Sequence, residues 1–253
     1  MAMDKDLIRK RFSKASATYN REASAQKDIA GEMCALLEHI ASRKDFSEVL
    51  EIGCGTGVYT GMIKSRFNPD KLYINDICPE MEDIAKQVAS DAVFISGDAE
   101  TTDFPERLTL ITSCSSIQWF SDLKAFFEKC RNSLTDNGIL AFSTFGERNL
   151  HEIKSLTGIG LSYYSARELE KMLEGCGFEI MLLKQNYISL RFPSPLDIIR
   201  HLKNTGATGI MKSRWIKTSL DEFCMKYEQT YGKGDGAVPL TYHPIFIICK
   251  KNE

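Results

Sequence analysis

The residues of this chain best suited to chemistry are an acid followed by three alternating glycines, in Val49-Leu50-Glu51-Ile52-Gly53-Cys54-Gly55-Thr56-Gly57. The apolar run before them reads as a buried parallel strand, and the glycines as a turn where a ligand can approach bare backbone. Dinucleotide loops use Gly-x-Gly-x-x-Gly, which sets a pyrophosphate against a helix N-terminus. Here the glycines fall at 53, 55 and 57, and Glu51 stands where a phosphate would be repelled. A cationic ligand without phosphate suits the loop better.

S-adenosylmethionine is such a ligand, with a sulfonium and an ammonium that an acidic strand end can face. The segment resembles motif I of the class I S-adenosylmethionine-dependent methyltransferases. Two later segments extend the likeness. Lys71-Leu-Tyr-Ile-Asn-Asp76 reads as a second strand ending in an acid nineteen residues past Gly57, and Ala92-Val-Phe-Ile-Ser-Gly-Asp98-Ala99 as a third strand and its exit. The resemblance implies that Asp76 binds both ribose hydroxyls, one per carboxylate oxygen, and that Asp98 receives the adenine amino group beside Ala99. Ser113, in the fourth-strand exit Ser113-Cys114-Ser115-Ser116, completes the expected cofactor set. Many relatives carry an Asn in that exit.

These residues need a sheet to line them up. Alternating elements from residue 48 to about 186 argue a doubly wound α/β sheet. Strands are expected near 48–53, 71–76, 92–96, 108–114, 138–145, 178–190 and 244–250, with helices near 58–66, 79–89, 122–134 and 165–176. The resemblance implies strand order 3-2-1-4-5-7-6, the last strand antiparallel. Apolar positions at helical spacing predict two N-terminal helices over 4–42, and residues 194–234 read as a helical cap inserted before the last strand. Both additions are expected to roof the carboxyl edge of the sheet, where open α/β folds bind ligands. The whole of 1–253 is thus expected to be one methyltransferase domain, its Rossmann-like core over 48–190 and 239–250.

Composition narrows the class. Hydrophobic residues at 43% and charged residues at 26% describe a globular chain. No apolar run approaches the roughly 20 residues that cross a bilayer, and the N-terminus lacks the core of a signal peptide, so a cytoplasmic protein without a membrane partner is expected. The eight cysteines form no Cys-x-x-Cys pair and no cluster with His, so no metal is expected. Net charge is −2 and the basic residues gather in one run, which argues against nucleic acid. That run holds Arg200, Lys203, Lys212, Arg214 and Lys217, with no acid between Asp197 and Asp221.

Outside the glycine loop, four segments resemble the malonyl-acyl-carrier-protein O-methyltransferases of biotin synthesis. They are Arg11 to Tyr19 followed by Ala23 and Gln26; Gln118-Trp119-Phe120; Arg200 to Thr208; and Pro239-Leu-Thr-Tyr242-His243. The resemblance implies methyl transfer from S-adenosyl-L-methionine to the free carboxylate of a malonyl thioester on an acyl-carrier protein, leaving S-adenosyl-L-homocysteine. A carboxylate is already ionised at neutral pH, so no general base is required. One cation on the non-attacking oxygen is expected, with Arg200 first and Lys203 second, because a guanidinium fork suits a carboxylate. Tyr19 would cap the cofactor or donate to the acceptor, and Tyr242 and His243 would line the acceptor channel. The basic run would dock an acidic carrier, and a monomer is expected. Other readings are a methyltransferase for a small free acid, a non-catalytic adenosyl-ligand binder, and a nicotinamide dehydrogenase.

Overall fold

A computed structural model describes residues 3–40, 46–208 and 217–252. Its elements, in chain order, are helices α1 (Lys5–Glu22) and α2 (Ser24–Ile40), β1 (Glu48–Ile52), α3 (Val58–Phe67), β2 (Lys71–Asp76), α4 (Met81–Ala85), β3 (Val93–Ser96) and β4 (Leu108–Cys114). There follow α5 (Leu123–Ser133), β5 (Leu134–Phe145), α6 (His151–Thr157), α7 (Ala166–Gly175), β6 (Phe178–Gln185), β7 (Ile188–Phe192), α8 (Pro195–Asn204), α9 (Lys217–Tyr231), β8 (Val238–Tyr242) and β9 (Pro244–Lys251).

Seven strands form one sheet in the order β3-β2-β1-β4-β5-β9-β6, and β9 runs antiparallel to both neighbours. This is the expected order, with β9 as the last strand inserted between the fifth and sixth. The period-two pleat explains why β9 is apolar on every residue from Ile245 to Cys249. Ile245, Ile247 and Cys249 enter one core with Phe127, Phe142 and Leu173, while Phe246 and Ile248 enter the other with Met33 and Ile63. Helices α2 and α3 thus cover one face, and α5 and α7 the other.

Local signals set the helix ends. The Asp122 carboxylate accepts from the Ala125 N–H, and Ser165 and Glu168 close a capping box on α7. Ser194 caps α8, whose first residue is Pro195.

Three expectations change. The stretch 178–190 is two strands, because the chain leaves the sheet after Gln185 and Ile188–Phe192 pairs with Val238–Tyr242 in a separate two-stranded ribbon. Of the two N-terminal helices, α1 lies over the ligand edge, and α2 reaches it with its first turn, through Gln26. Helix α2 buries Ile29, Met33 and Leu37 in the sheet's own core and acts as a layer of it. The turn-rich stretch after β5 carries an additional helix, α6. Helix α1 is held over the edge by α8, where the Thr18 hydroxyl donates to the Asn204 carbonyl at 2.9 Å. Gly206, at φ 72°, lets Phe12 pack so closely that a Cβ there would lie 2.6 Å from its ring.

Candidate active site

Strand ends β1, β2, β3 and β4 open under α1 into a cleft. Its floor is the glycine loop. Gly53 and Cys54 N–H groups donate to the Asn75 carbonyl at 2.8 and 2.9 Å, tying the loop to β2. Gly53 sits at φ 70°, and any Cβ there would collide with Ser116. Gly55, at φ 51°, has open space above it and lines the cleft. Gly57 does not reach the cleft. It starts α3 at φ 82°, with Val88 at 2.8 Å from where a Cβ would stand, so it is a packing glycine.

Asp76 lines the cleft at the end of β2 with both carboxylate oxygens anchored. Oδ2 accepts the Gly55 N–H at 2.9 Å and Oδ1 the Cys78 N–H at 2.8 Å. Each oxygen keeps a lone pair for a ligand hydroxyl. Burial raises its pKa, and the two backbone donors oppose that shift. Asp98 and Ala99 line the far wall. Asp98 accepts the Glu100 N–H at 3.1 Å and faces Lys5 Nζ of α1 at 3.3 Å, while Lys5 also meets Glu100 at 2.5 Å. These pairs latch the start of α1. The far end is held by Thr56, whose hydroxyl donates to Asn20 Oδ1 at 2.5 Å.

Glu51 is placed differently from the expectation. The β1 pleat sends Leu50 and Ile52 to one face, and Val49 and Glu51 to the face covered by α2 and α3. Its carboxylate is therefore 1% exposed behind the glycine loop, outside the cleft wall, and Oε2 has no hydrogen-bond partner. Burial pushes its pKa up to about 8, and the neighbouring Thr60 hydroxyl offsets only part of this. Ser113 is also outside the wall, because its hydroxyl donates to the Ile52 carbonyl at 3.0 Å and joins β4 to β1. Cys114, Ser115 and Ser116 line the cleft instead. Ser115 is held at φ 55°, its N–H donating to the Ser143 carbonyl at 3.1 Å.

A second cleft adjoins the first, and Phe12, Tyr19, Ser115 and Trp119 belong to both walls. Phe12 meets Trp119 edge to face at 5.6 Å. Tyr19 is partly buried, and desolvation raises the pKa of its phenol, so it stays protonated. Tyr242 lies in the second cleft, but its hydroxyl is engaged with His201 Nε2 at 2.8 Å. His243 accepts the Arg148 N–H on Nδ1 at 3.2 Å and donates from Nε2 to Gln185 Oε1 at 3.1 Å. Both ring nitrogens are spent, and burial lowers its pKa, so it is neutral and unavailable as a base.

No charged side chain is among the described residues lining this second cleft. The structure does not bring Arg200 or Lys203 to it. Helix α8 buries Ile198, His201, Leu202 and Thr205, so both cations fall on the opposite face. The Arg200 side chain is 68% exposed and paired with Asp197 at 2.5 Å, and Lys203 is exposed. Lys212 and Arg214, and the side chain of Lys217, lie outside the described residues. Sequence reasoning missed Asn149, Tyr163 and the loop 159–161, all in this wall. They follow no strand end or periodic pattern. Gly158 and Gly160 were the only local signal that the chain turns there.

Fold and clefts together define a Rossmann-like methyltransferase, and residues 25–183 match a family model described as a methyltransferase domain. An N-methyltransferase from Bradyrhizobium japonicum, solved with S-adenosyl-L-homocysteine, superposes with a TM-score of 0.54 at 12% identity, covering 88% of this chain and 87% of the other. At that identity the likeness concerns the fold. Malonyl-[acyl-carrier protein] O-methyltransferase of Bacteroides fragilis (strain 638R) is 45% identical over 99% of this chain, which spans 51% of that relative's length. The enzyme of the same name from Bacteroides thetaiotaomicron is 44% identical over 99% of this chain and 100% of its own. The chain belongs to the malonyl-[acyl-carrier protein] O-methyltransferase family. It is an S-adenosylmethionine-dependent O-methyltransferase.

Proposed function

We propose that this chain methylates the free carboxylate of a malonyl thioester on an acyl-carrier protein, the acceptor that its relatives' names give for them. The observation that carries the reading is the pair of joined clefts. One is walled by Asp76 and Asp98, the other has neutral walls, and they meet at Phe12, Tyr19, Ser115 and Trp119.

When bound, S-adenosylmethionine supplies an electrophilic methyl group. Gly53 and Gly55 would receive its amino-acid portion, Asp76 its ribose hydroxyls, and Asp98 with Ala99 its adenine. The acceptor carboxylate needs no base, which agrees with the engaged nitrogens of His243. The work left to the protein is to hold one carboxylate oxygen at the junction and keep water out. Phe12 and Trp119 exclude water, and the Tyr19 phenol is a donor that both clefts share. Tyr242 supports the cleft wall through His201 and is not a contact of the acceptor.

Arg200 and Lys203, exposed on α8, are assigned to the carrier's acidic surface. A third, wide cleft shares Gln118, Phe145 and Tyr163 with the acceptor cleft. It favours an acceptor that arrives on a long arm over a small free acid. A monomer and a cytoplasmic location are parts of the same proposal. No helix among the described residues is long and apolar enough to cross a membrane.

Mass spectrometry of malonyl-carrier protein incubated with the enzyme and S-adenosylmethionine tests the reading. The expected result is a gain of one methyl that the acetyl-carrier does not show. A protein that binds the cofactor but adds no methyl to malonyl-carrier refutes it.

A further inference from the structure

Among the described residues, the wall of the acceptor cleft offers a carboxylate only neutral hydrogen-bond donors. Unpartnered buried polar atoms gather there: Gln26 Oε1, Ser115 Oγ, Gln118 Oε1 and Trp119 Nε1 all belong to residues of this wall. Buried polar groups normally have partners, so such a gathering marks a site built for a polar ligand. Gln26 Oε1 and Gln118 Oε1 can only accept, and Gln118 Nε2 already donates to the Ser115 carbonyl at 2.6 Å, whereas the Ser115 hydroxyl and the Trp119 indole N–H can donate at the junction with the cofactor cleft.

Tyr163 adds a further donor, away from that junction, whose direction its neighbours fix. The His243 N–H points at Asn149 at 3.2 Å. A backbone N–H can only donate, so the Asn149 atom facing it is the carbonyl oxygen. The other end of that amide is then the nitrogen, and it lies 2.8 Å from the Tyr163 hydroxyl oxygen. Nδ2 can only donate, so the Tyr163 oxygen accepts and its own proton is directed elsewhere. Among the described residues no acceptor takes that proton, and Tyr163 lines the acceptor cleft where it opens to the wide third cleft. Asn149 is itself 4% exposed, and its own N–H donates to the Gly146 carbonyl at 2.9 Å, which ties it to the turn after β5 and holds this orientation. Burial pushes the Tyr163 phenol up to about 12, so the group keeps its proton throughout the working range.

The geometry points to Tyr163 as the donor that grips the non-attacking oxygen of the acceptor carboxylate, with Asn149 as the residue that positions it. This rests on the carboxyl-methylating reading above. A neutral donor holds the carboxylate in place yet leaves more charge on the attacking oxygen than a guanidinium would.

The test compares malonyl-carrier with its own methyl ester, both as ligands of the enzyme loaded with a non-transferring sulfonium analogue of the cofactor. The wild type is expected to bind the acid more tightly than the ester. Tyr163→Phe should reduce kcat/KM for the acid by about 10–100-fold, the usual worth of a hydrogen bond to a charged group, and bring the acid-to-ester affinity ratio close to one. Asn149→Asp keeps an acceptor for the His243 N–H but turns the Tyr163 bond around, so it should lose the same preference. Calorimetry of S-adenosylmethionine should be unchanged in both variants, since neither residue lines the cofactor cleft. If Tyr163→Phe keeps the wild-type preference for acid over ester, the assignment is wrong while the carboxyl-methylating reading stands. If the wild type itself makes no ester, both fall.

Discussion

Glu51 offers the sharpest test of how the glycine loop works. Its carboxyl is fully buried with one oxygen unpartnered, and its pKa rises from 4.5 to about 8. Between those limits the folded, ligand-free protein holds a proton that the unfolded chain has released. Stability must then fall as pH rises across this window, by roughly 1.4 kcal/mol per pH unit from this one group, and become independent of it above pH 8. Over the whole window the loss is on the order of 4–5 kcal/mol. Glu51→Gln keeps the shape and carries no titrating proton, so it removes that slope. Urea unfolding of the ligand-free wild type and variant at pH 5.5 to 8.5 measures it. The difference should widen steadily in favour of the variant as pH rises. Parallel curves would refute the placement of Glu51. The same carboxyl ties ligand charge to proton release. A cationic ligand over Gly53 and Gly55 favours the ionised form, so wild-type affinity should rise between pH 6.5 and 8.5 with a proton released on binding. In Glu51→Gln both effects should vanish, whatever happens to the affinity itself.

Two further outcomes are expected. Gly53→Ala forces a Cβ into Ser116 at φ 70°, so it should cost about 1–3 kcal/mol of stability by thermal unfolding and weaken cofactor binding; adding Ser116→Gly should restore part of the loss by removing the collision and leaving only the backbone strain. Reversing the charges at Lys212, Arg214 and Lys217 should lower kcat/KM for malonyl-carrier at low salt by about tenfold and much less at high salt, while a malonyl thioester without a carrier is unaffected. Equal rates on carrier-bound acceptor at low salt would remove that run from docking.

What the sequence disclosed, and what it hid, follows from where each constraint is written. The glycine loop, Asp76 and Asp98 are legible because strand ends in a parallel sheet place residues at fixed intervals, and the ligand demands particular residue types there. The strand order came with the resemblance. The facing of side chains was less accessible. Glu51 belongs to the motif, yet the β1 pleat turns it behind the loop with Val49. Arg200 lies in the right segment, yet α8 presents Ile198, His201 and Leu202 to the core, and the cation faces outward. Applying the helical period to 195–204 would have separated the two faces in advance. Tyr163 could not be found this way, because its role is set by Asn149 and His243, which are fourteen residues before it and eighty residues after it.

The division of charge between the two clefts has a consequence for binding order. Asp76 and Asp98 wall the cofactor cleft, and the acceptor cleft has no cation in its described wall. A carboxylate entering it meets a neighbouring field that is negative when the first cleft is empty. A cationic ligand in the first cleft reverses the sign, and a neutral ligand of the same shape does not. The acceptor cleft should therefore take malonyl-carrier at least about tenfold more tightly when S-adenosylmethionine, rather than S-adenosylhomocysteine, fills its neighbour, since charges several ångströms apart in a partly buried site interact by more than one kcal/mol. The neutral methyl ester should show no such preference. Chemistry has to be slowed for the measurement, which a non-transferring sulfonium analogue with the same charge achieves. Equal affinity of the acid for the two loaded states would mean that the protein supplies the countercharge itself, and would return the search to a cation such as Lys5, now latched to Asp98 and Glu100 on α1.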